Sequence, residues 1–338
     1  MPRSALMLCL IASAACSNDA AEATTSAPAA GTKPARADEG SARTTAVPTG
    51  DLKELRIGYQ KNGVLVIARQ QAVLEGKLAP LGVHVTWVEF SSGPPLLEAM
   101  SAGGIDLGHT GDAPPIFAQA GGASIVYVAG QTSDSGQAIL VPAGSEIHAL
   151  ADLKGKRVGF TRGSSAHNLV ILALDRAGLG YGDITPVYLS PPDAGAAFAR
   201  GSIDAWAIWD PFFANGQLHG GRVVVGSDRL GQTNSFFLAN RGFAARHARA
   251  LAAVITGLGE AARWAEAHRD RVASALAEAT GVDLAIQTVA ANRATFTLVP
   301  LTDDLVAAQQ AVADRFHRLG LIPRAVAVRD AVWVPPSL

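Results

Sequence analysis

From Leu52 onward, short apolar runs alternate with stretches whose apolar positions recur at helical spacing. Residues 55–59 read as a strand and 64–78 as a helix. Residues 83–90 alternate at period two, the pattern of a strand with one better-buried face. A short helix follows at 95–101, then a strand at 105–109, a short helix at 116–120 and a buried strand at 125–129. The pattern then begins again with strand 156–160, helix 165–177, strand 184–189, helix 194–200 and strand 205–208. Residues 137–141 read as a crossover segment and 235–239 as a returning strand. Long helices are expected at 244–267, 269–279 and 304–319, packed back on the first half. Such alternation predicts an α/β protein of two lobes, each a mostly parallel sheet flanked by helices. Two chain crossings make a hinge, with lobe I built from 51–138 and 236–338 and lobe II from 139–235.

The two halves also repeat in detail. Arg56-Ile57-Gly58-Tyr59 is echoed by Arg157-Val158-Gly159-Phe160, and Gly103-Gly104-Ile105-Asp106 by Gly201-Ser202-Ile203-Asp204. Six residues beyond each of those aspartates stands another beside a proline: Asp112 before Ala113-Pro114, and Asp210 before Pro211. Equivalent loops on two similar lobes make the cleft between them the natural ligand site.

Composition narrows the function. Hydrophobic residues are 49% of the chain and charged residues 17%, which fits a globular protein. The formal net charge of −1 argues against a nucleic-acid or anionic-membrane surface. The N-terminus reads as an export signal over 1–16, with Arg3 ahead of a short apolar stretch. Both cysteines, Cys9 and Cys16, fall there. Ser13-Ala14-Ala15-Cys16 resembles a bacterial lipobox, in which the cysteine is lipidated; ordinary cleavage near Ala14 or Ala15 is the alternative. Residues 17–50, rich in Ala, Ser, Thr, Pro and Gly, suit a flexible tether.

Ligands of open α/β sheets bind outside the carboxyl ends of strands, and four loops lie there. Gly163-Ser164-Ser165-Ala166-His167-Asn168 opens a helix whose unpaired N–H groups and positive dipole end suit an anion, unless the serines merely cap it. Thr110-Gly111-Asp112-Ala113-Pro114 is the expected partner loop, with Asp112 either a plain N-cap or the residue that sets the loop's geometry. Gln60, beside Lys61, offers both a donor and an acceptor. Trp209 is either core or an apolar wall. Asp210 is either a second N-cap or a partner for a ligand amine. Two helix starts at roughly +0.5 charge each suit a monoanion. Lys61 and Arg162 are the only cations in these loops.

Enzymatic signatures are sparse. The eight histidines show no paired metal spacing, and no Walker loop, strand-borne GxGxxG or GxSxG elbow occurs. Ser164, Ser165 and His167 are close in sequence, but a nucleophile needs a base aimed at it by a third group. No metal or cofactor is expected.

The loops together resemble the aliphatic-sulfonate-binding proteins of ABC importers, within the nitrate/sulfonate/taurine solute-binding group. The matching residues are Gly58-Tyr59-Gln60-Lys61, Trp87-Val88-Glu89-Phe90, the run TGDAPPIFAQA from Thr110 to Ala120, Gly163 to Asn168, and Trp209-Asp210-Pro211. The resemblance implies a type II-like, two-lobed periplasmic-binding-protein fold that closes on its ligand and docks on a membrane permease with its ATPase. It also implies a sulfonate held near Thr110–Ala113 and Gly163–Ser165; a monomer in the periplasm or at the extracytoplasmic face is expected. Arg162 stands where many relatives have lysine, and a lipobox with a long tether is unusual for the group. Taurine, nitrate and other small organic anions are the alternative ligands. The same fold hosts a sulfinate-cleaving enzyme with a cysteine nucleophile. With no cysteine beyond Cys16, only a cysteine-independent desulfination or hydrolytic enzyme would fit here.

Overall fold

The computed structural model describes residues 51–133, 135–231 and 233–335. The expected export signal, the lipidation at Cys16 and the linker over 17–50 lie outside them.

The first unit runs β1 (Glu54–Tyr59), α1 (Gly63–Gln70), α2 (Val73–Leu78), β2 (His84–Glu89), α3 (Gly93–Ser101), β3 (Leu107–Gly111), α4 (Ala113–Ala120) and β4 (Ile125–Ser133). The chain then crosses into β5 (Gln137–Pro142), β6 (Arg157–Phe160), α5 (Ser165–Ala177), β7 (Thr185–Tyr188), α6 (Pro191–Ala199), β8 (Ala205–Trp209), α7 (Phe212–Leu218) and β9 (Gly221–Gly226). It returns through β10 (Thr233–Asn240) to α8 (Arg241–Arg246), α9 (Ala248–Ala267), α10 (Arg269–Thr280), α11 (Leu284–Arg293) and α12 (Asp303–Arg318).

Two five-stranded sheets result, in the orders β2-β1-β3-β10-β4 and β7-β6-β8-β5-β9. Each has a parallel trio, β2-β1-β3 or β7-β6-β8, extended by one antiparallel strand, β10 or β5, and by an outer strand, β4 or β9, that pairs antiparallel with it. The strands that arrive after each crossing, β10 and β5, hold the same place in the two orders. The parallel trios require crossover helices, and those helices start at the strand ends where the cleft lies.

Two expected helices are broken, and α7, β9 and α11 had no counterpart in the pattern. The helix expected over 64–78 is broken at Ala72, whose φ of 51° is left-handed. The break turns α2 against α9, where Leu74 packs so close that a β-carbon on Gly257 would lie 2.7 Å from its Cδ2. The helix expected at 244–267 divides likewise, into α8 and α9 at His247. Helix α11 had no counterpart in the pattern, because Leu284 is exposed while Gln287, Ala290 and Ala291 are buried. Its bulky apolar residues are not the ones that face inward, so the usual periodicity is hidden.

The core follows the sheets. One cluster joins β1 and α1 to α9 and α10 through Ile57, Val66, Leu258 and Leu276, and another joins α3 and α4 to α12 through Leu96, Ile116 and Phe316. The second sheet carries its own clusters around Phe160, Leu169 and Trp206. The helices after β10 therefore seal the first sheet, as the sequence pattern predicts. Among the described residues, no helix is long and apolar enough to cross a membrane.

Candidate functional site

A cavity of about 160 Å³ is lined from both sheets, from the crossing strands and from α11. Two helices begin at its wall. Asn62 precedes α1 in an extended conformation (φ −153°, ψ 171°) and its side chain does not cap the helix. Instead Asn62 Nδ2 donates to the Asp210 carbonyl at 2.9 Å. Ser164 precedes α5 in the same way (ψ 172°), and its hydroxyl is spent on the Thr161 carbonyl at 2.7 Å. Both helix starts are thus left without a side-chain cap, and Gly63 and Ser165, their first residues, line the cavity. Unpaired amides at a helix start carry partial positive charge. Two such starts on one cavity supply about one elementary charge.

The lobes approach closely here. A β-carbon on Gly111 would lie 2.6 Å from Ser165 Cβ, so only glycine lets β3 meet α5. Gly163, at φ +71°, sits over the Phe117 ring and needs glycine for its conformation as well.

Six of the expected site residues line this cavity: Gln60, Gly111, Ser164, Ser165, Trp209 and Asp210. Gln60 Nε2 donates to the His109 carbonyl at 3.1 Å, which anchors it to β3. Asp210 accepts from the Ala214 N–H at 2.9 Å through Oδ1 and lies 3.4 Å from the Arg293 guanidinium. Burial pushes its carboxyl up to about 6, against the pull of Arg293 and the Ala214 N–H.

The other five take different places. Thr110 is buried and turns its hydroxyl to the Gly111 carbonyl at 3.0 Å. Asp112 caps α4 by accepting from the Ala113 N–H at 2.7 Å. With that amide taken and Pro114 and Pro115 lacking N–H groups, α4 offers a ligand no free donor in its first turn. The amide-bearing partner of α5 is therefore α1, the helix that follows the equivalent strand in the repeat. Asp112 instead joins the lobes: its Oδ2 accepts from Asn168 Nδ2 at 2.7 Å, and Arg315 Nη1 holds Asn168 Oδ1 at 2.9 Å. Burial raises its carboxyl to about 6, opposed by the bonds from Asn168 and Ala113.

Gly163 and His167 lock the α5 loop from behind. The Gly163 N–H donates to His167 Nδ1 at 3.1 Å, which leaves Nε2 to carry the proton toward Tyr181 Oη at 2.9 Å. Burial first, and then Arg162, pulls the His167 imidazole down to about 3. Both ring nitrogens are committed and neither faces a serine, so His167 is not a base aimed at Ser164 or Ser165.

The two loop cations stay out of the cavity. Lys61 Nζ donates to the Thr280 carbonyl at 3.1 Å and pairs with Glu89 at 3.5 Å. The Arg162 guanidinium stands 5.8 Å from the Tyr188 ring centroid. The residues that sequence reasoning missed are His109, the polar side chains of the crossing strands, and Gln287, Ala290 and Ala291 of α11. Burial pulls His109 down to about 4, so it faces the site as a neutral imidazole. Polar residues at inward strand positions, such as Gln131 and Asn234, were the available signal, since a buried polar side chain asks for a partner.

Residues 49–280 match the model of the NMT1-like family. Over 288 residues the chain is 42% identical to an aliphatic sulfonates-binding protein of Escherichia coli (strain K12), covering 84% of this chain and 90% of that protein. Among solved structures it is similar to the alkanesulfonate-binding protein SsuA of Xanthomonas axonopodis pv. citri bound to MOPS. That match has a TM-score of 0.80 and 43% identity, covering 84% of this chain and 99% of that one. The periplasmic aliphatic sulphonate binding protein SsuA of Escherichia coli superposes with a TM-score of 0.76 at 41% identity, covering 85% of this chain and 94% of that one. The two solved structures are two-lobed periplasmic binding proteins.

Proposed function

The chain belongs to the NMT1-like family, and from that premise we propose that it is the solute-binding component of an ABC importer for aliphatic sulfonates. The observation that carries this reading is the pair of uncapped helix starts, α1 and α5, on one cavity. Their combined field of about one charge matches a sulfonate monoanion. Residues 51–138 with 236–338 act as lobe I and 139–235 as lobe II, closing about the crossings before β5 and β10. Gln60 and Gly111 serve the site from lobe I, and Ser164, Ser165, Trp209 and Asp210 from lobe II. Thr110, Asp112, Ala113, Gly163 and His167 position those loops.

The protein works at the extracytoplasmic face as a monomer, tethered through lipidated Cys16, and delivers its ligand to a permease and its ATPase. Replacing Cys16→Ser is expected to move it from the membrane fraction to the soluble one; unchanged fractionation would contradict the tether.

Titration calorimetry with a series of alkanesulfonates, sulfate and nitrate tests the ligand class. Several charge-assisted bonds predict sulfonate affinity near micromolar, about −8 kcal/mol. Sulfate, a dianion with no organic part, is expected to bind far more weakly. Failure of every sulfonate to bind below about millimolar would overturn the assignment.

A further inference from the structure

The helices that follow β10 lie outside both copies of the internal repeat, yet two of them reach lobe II. Arg315, in the last turn of α12, donates through Nη1 to Asn168 Oδ1 of α5 at 2.9 Å. Its Nε lies 3.9 Å from Asp175 Oδ2, two turns further along α5. Arg293, the last residue of α11, donates through Nη2 to Gln217 Oε1 of α7. Its Nη1 lies 3.4 Å from Asp210 Oδ1, and its guanidinium stands 3.9 Å from the Phe213 ring centroid. The two arginines thus grip α5 and the β8–α7 segment, and Ser165 of the one and Asp210 of the other line the cavity.

Each arm is rooted in lobe I. Phe316, next to Arg315, is buried in the core that α12 shares with α3 and α4. Helix α11 is held by Gln287 Nε2, which donates to the Lys61 carbonyl at 3.4 Å, and by Arg269 Nη1, which donates to the Ala294 carbonyl at 2.9 Å. The Arg315 and Arg293 side chains are only 20% and 23% exposed, so both are held in the divide between the lobes. Neither is among the residues that line the cavity. Their partners are side-chain amides, carboxylates at 3.4 Å or more, and an aromatic face. Water can replace such partners when the lobes part, at small net cost. These contacts therefore suit a closed form that must open again.

We propose that α11 and α12 form a two-armed clasp, in which Arg293 and Arg315 are positioning residues that hold lobe II over the bound anion and set how fast it leaves. They act through α5 and the β8–α7 segment rather than on the ligand. This rests on the closure of lobe I and lobe II about the same cavity and adds what holds it shut.

The test compares the full chain with Arg293→Gln, Arg315→Gln and the double variant. Stopped-flow tryptophan fluorescence reads the binding and release of butane-1-sulfonate, with Trp209 on the cavity wall. Each single variant is expected to release the ligand about tenfold faster, the range of a lost bond to a charged group. The double variant should release it about a hundredfold faster, since the arms grip separate segments and their effects add. Association should be no slower. Affinity lost through slower association would mean that the arginines merely attract the anion, and overturns the clasp. A lower melting temperature with release unmoved marks a purely structural role and also overturns it. A second arm needs no ligand. Leu218 of α7 and Leu284 of α11 are each 51% exposed. Spin labels on cysteines at these two positions, with Cys9 and Cys16 replaced by serine, are expected to lie farther apart in the double variant than in its parent. An unchanged distance overturns the clasp. Failure of the parent to bind butane-1-sulfonate would overturn the sulfonate assignment, and the label distance then decides the clasp alone. If Arg315→Gln does not fold, Arg293→Gln gives both readings with the same outcomes.

Discussion

The guanidinium of Arg56 closes on the carboxylate of Asp106 at 2.7 Å through Nη2 and 3.0 Å through Nε, while the Arg56 backbone N–H reaches the same carboxylate at 2.9 Å. Arg157 repeats all three bonds on Asp204, at 2.7, 3.1 and 2.7 Å. Each arginine also donates to a glycine carbonyl just upstream, of Gly103 or Gly201. Beside each clamp a glycine makes room for an isoleucine: a β-carbon on Gly58 would lie 2.5 Å from Ile105, and one on Gly159 2.4 Å from Ile203. The internal repeat thus encodes a brace between neighbouring parallel strands. It fixes the strand from which α1 or α5 departs toward the cavity.

The two braces should not be equally costly to lose. The Asp106 side chain is 13% exposed and that of Asp204 32%. Asp106→Asn is expected to cost about 2–3 kcal/mol, because a partly buried arginine keeps only part of its partner. Asp204→Asn should cost about 1 kcal/mol, nearer a surface pair. Urea unfolding measures both, and an equal loss would contradict the ranking.

Ser165 offers a separation of fold from binding. It is the first residue of α5, where proline is well tolerated, and Ser164 before it already has the extended backbone that proline requires. Ser165→Pro removes one cavity-facing N–H. Sulfonate affinity is expected to fall by about tenfold to a hundredfold, the equivalent of about 1.5–3 kcal/mol, with melting temperature little changed. Ser165→Ala, which removes only the hydroxyl, should cost several-fold at most. Calorimetry beside thermal melting reads both.

Asn168 ties α5 to the α4 cap and to α12. In Asn168→Leu the buried Asp112 loses its Oδ2 donor, and Arg315 Nη1 loses its bond to Asn168 while Nε keeps its pairing with Asp175. A destabilisation of about 2–3 kcal/mol follows from leaving a buried carboxylate short of a partner. The urea midpoint checks it, and a neutral result would deny the interlobe joint any energetic role.

His167 makes stability pH-dependent with a definite sign. Its folded value of about 3 lies below the ordinary 6.5, so the unfolded chain takes up the proton first. The contribution is complete above 6.5 and is lost as pH falls toward 3. Between pH 7 and 5 the loss is about 2 kcal/mol. His109 acts in the same sense, with a folded value of about 4. Asp112 and Asp210, raised to about 6, act oppositely between pH 4 and 6, because there the folded state takes up protons first. The comparison is therefore with His167→Gln, which keeps a donor and an acceptor but does not titrate. Its stability should fall less than that of the parent over this pH range, as read by urea unfolding at each pH.

Much of this was legible in the chain. Period-two and helical patterns located most strands and helices, because those elements bury one apolar face in a sheet-and-helix sandwich. Helix α5 falls at 165–177 as its pattern predicts. The loop after β6 and the stretch Trp209-Asp210 were readable as strand-end loops, and both line the cavity. The partner helix was not readable. The conspicuous Asp112-Ala113-Pro114-Pro115 attracts attention as a helix start, yet two prolines and a capping carboxylate are what silence its amides. The unobtrusive Asn62-Gly63 keeps them free. Helix α11 stayed hidden because its inward face is Gln287, Ala290 and Ala291, chosen to border a cavity rather than to fill a core.

The central claim is that one anion is shared by the starts of α1 and α5, and a crystal structure of the complex with an alkanesulfonate, its sulfur located by anomalous scattering, tests it most directly. The account predicts the sulfur in the cavity, with sulfonate oxygens within hydrogen-bond distance of the Gly63–Val64 and Ser165–Ala166 amides. A sulfur found beside Lys61 or Arg162, away from both helix starts, would contradict it.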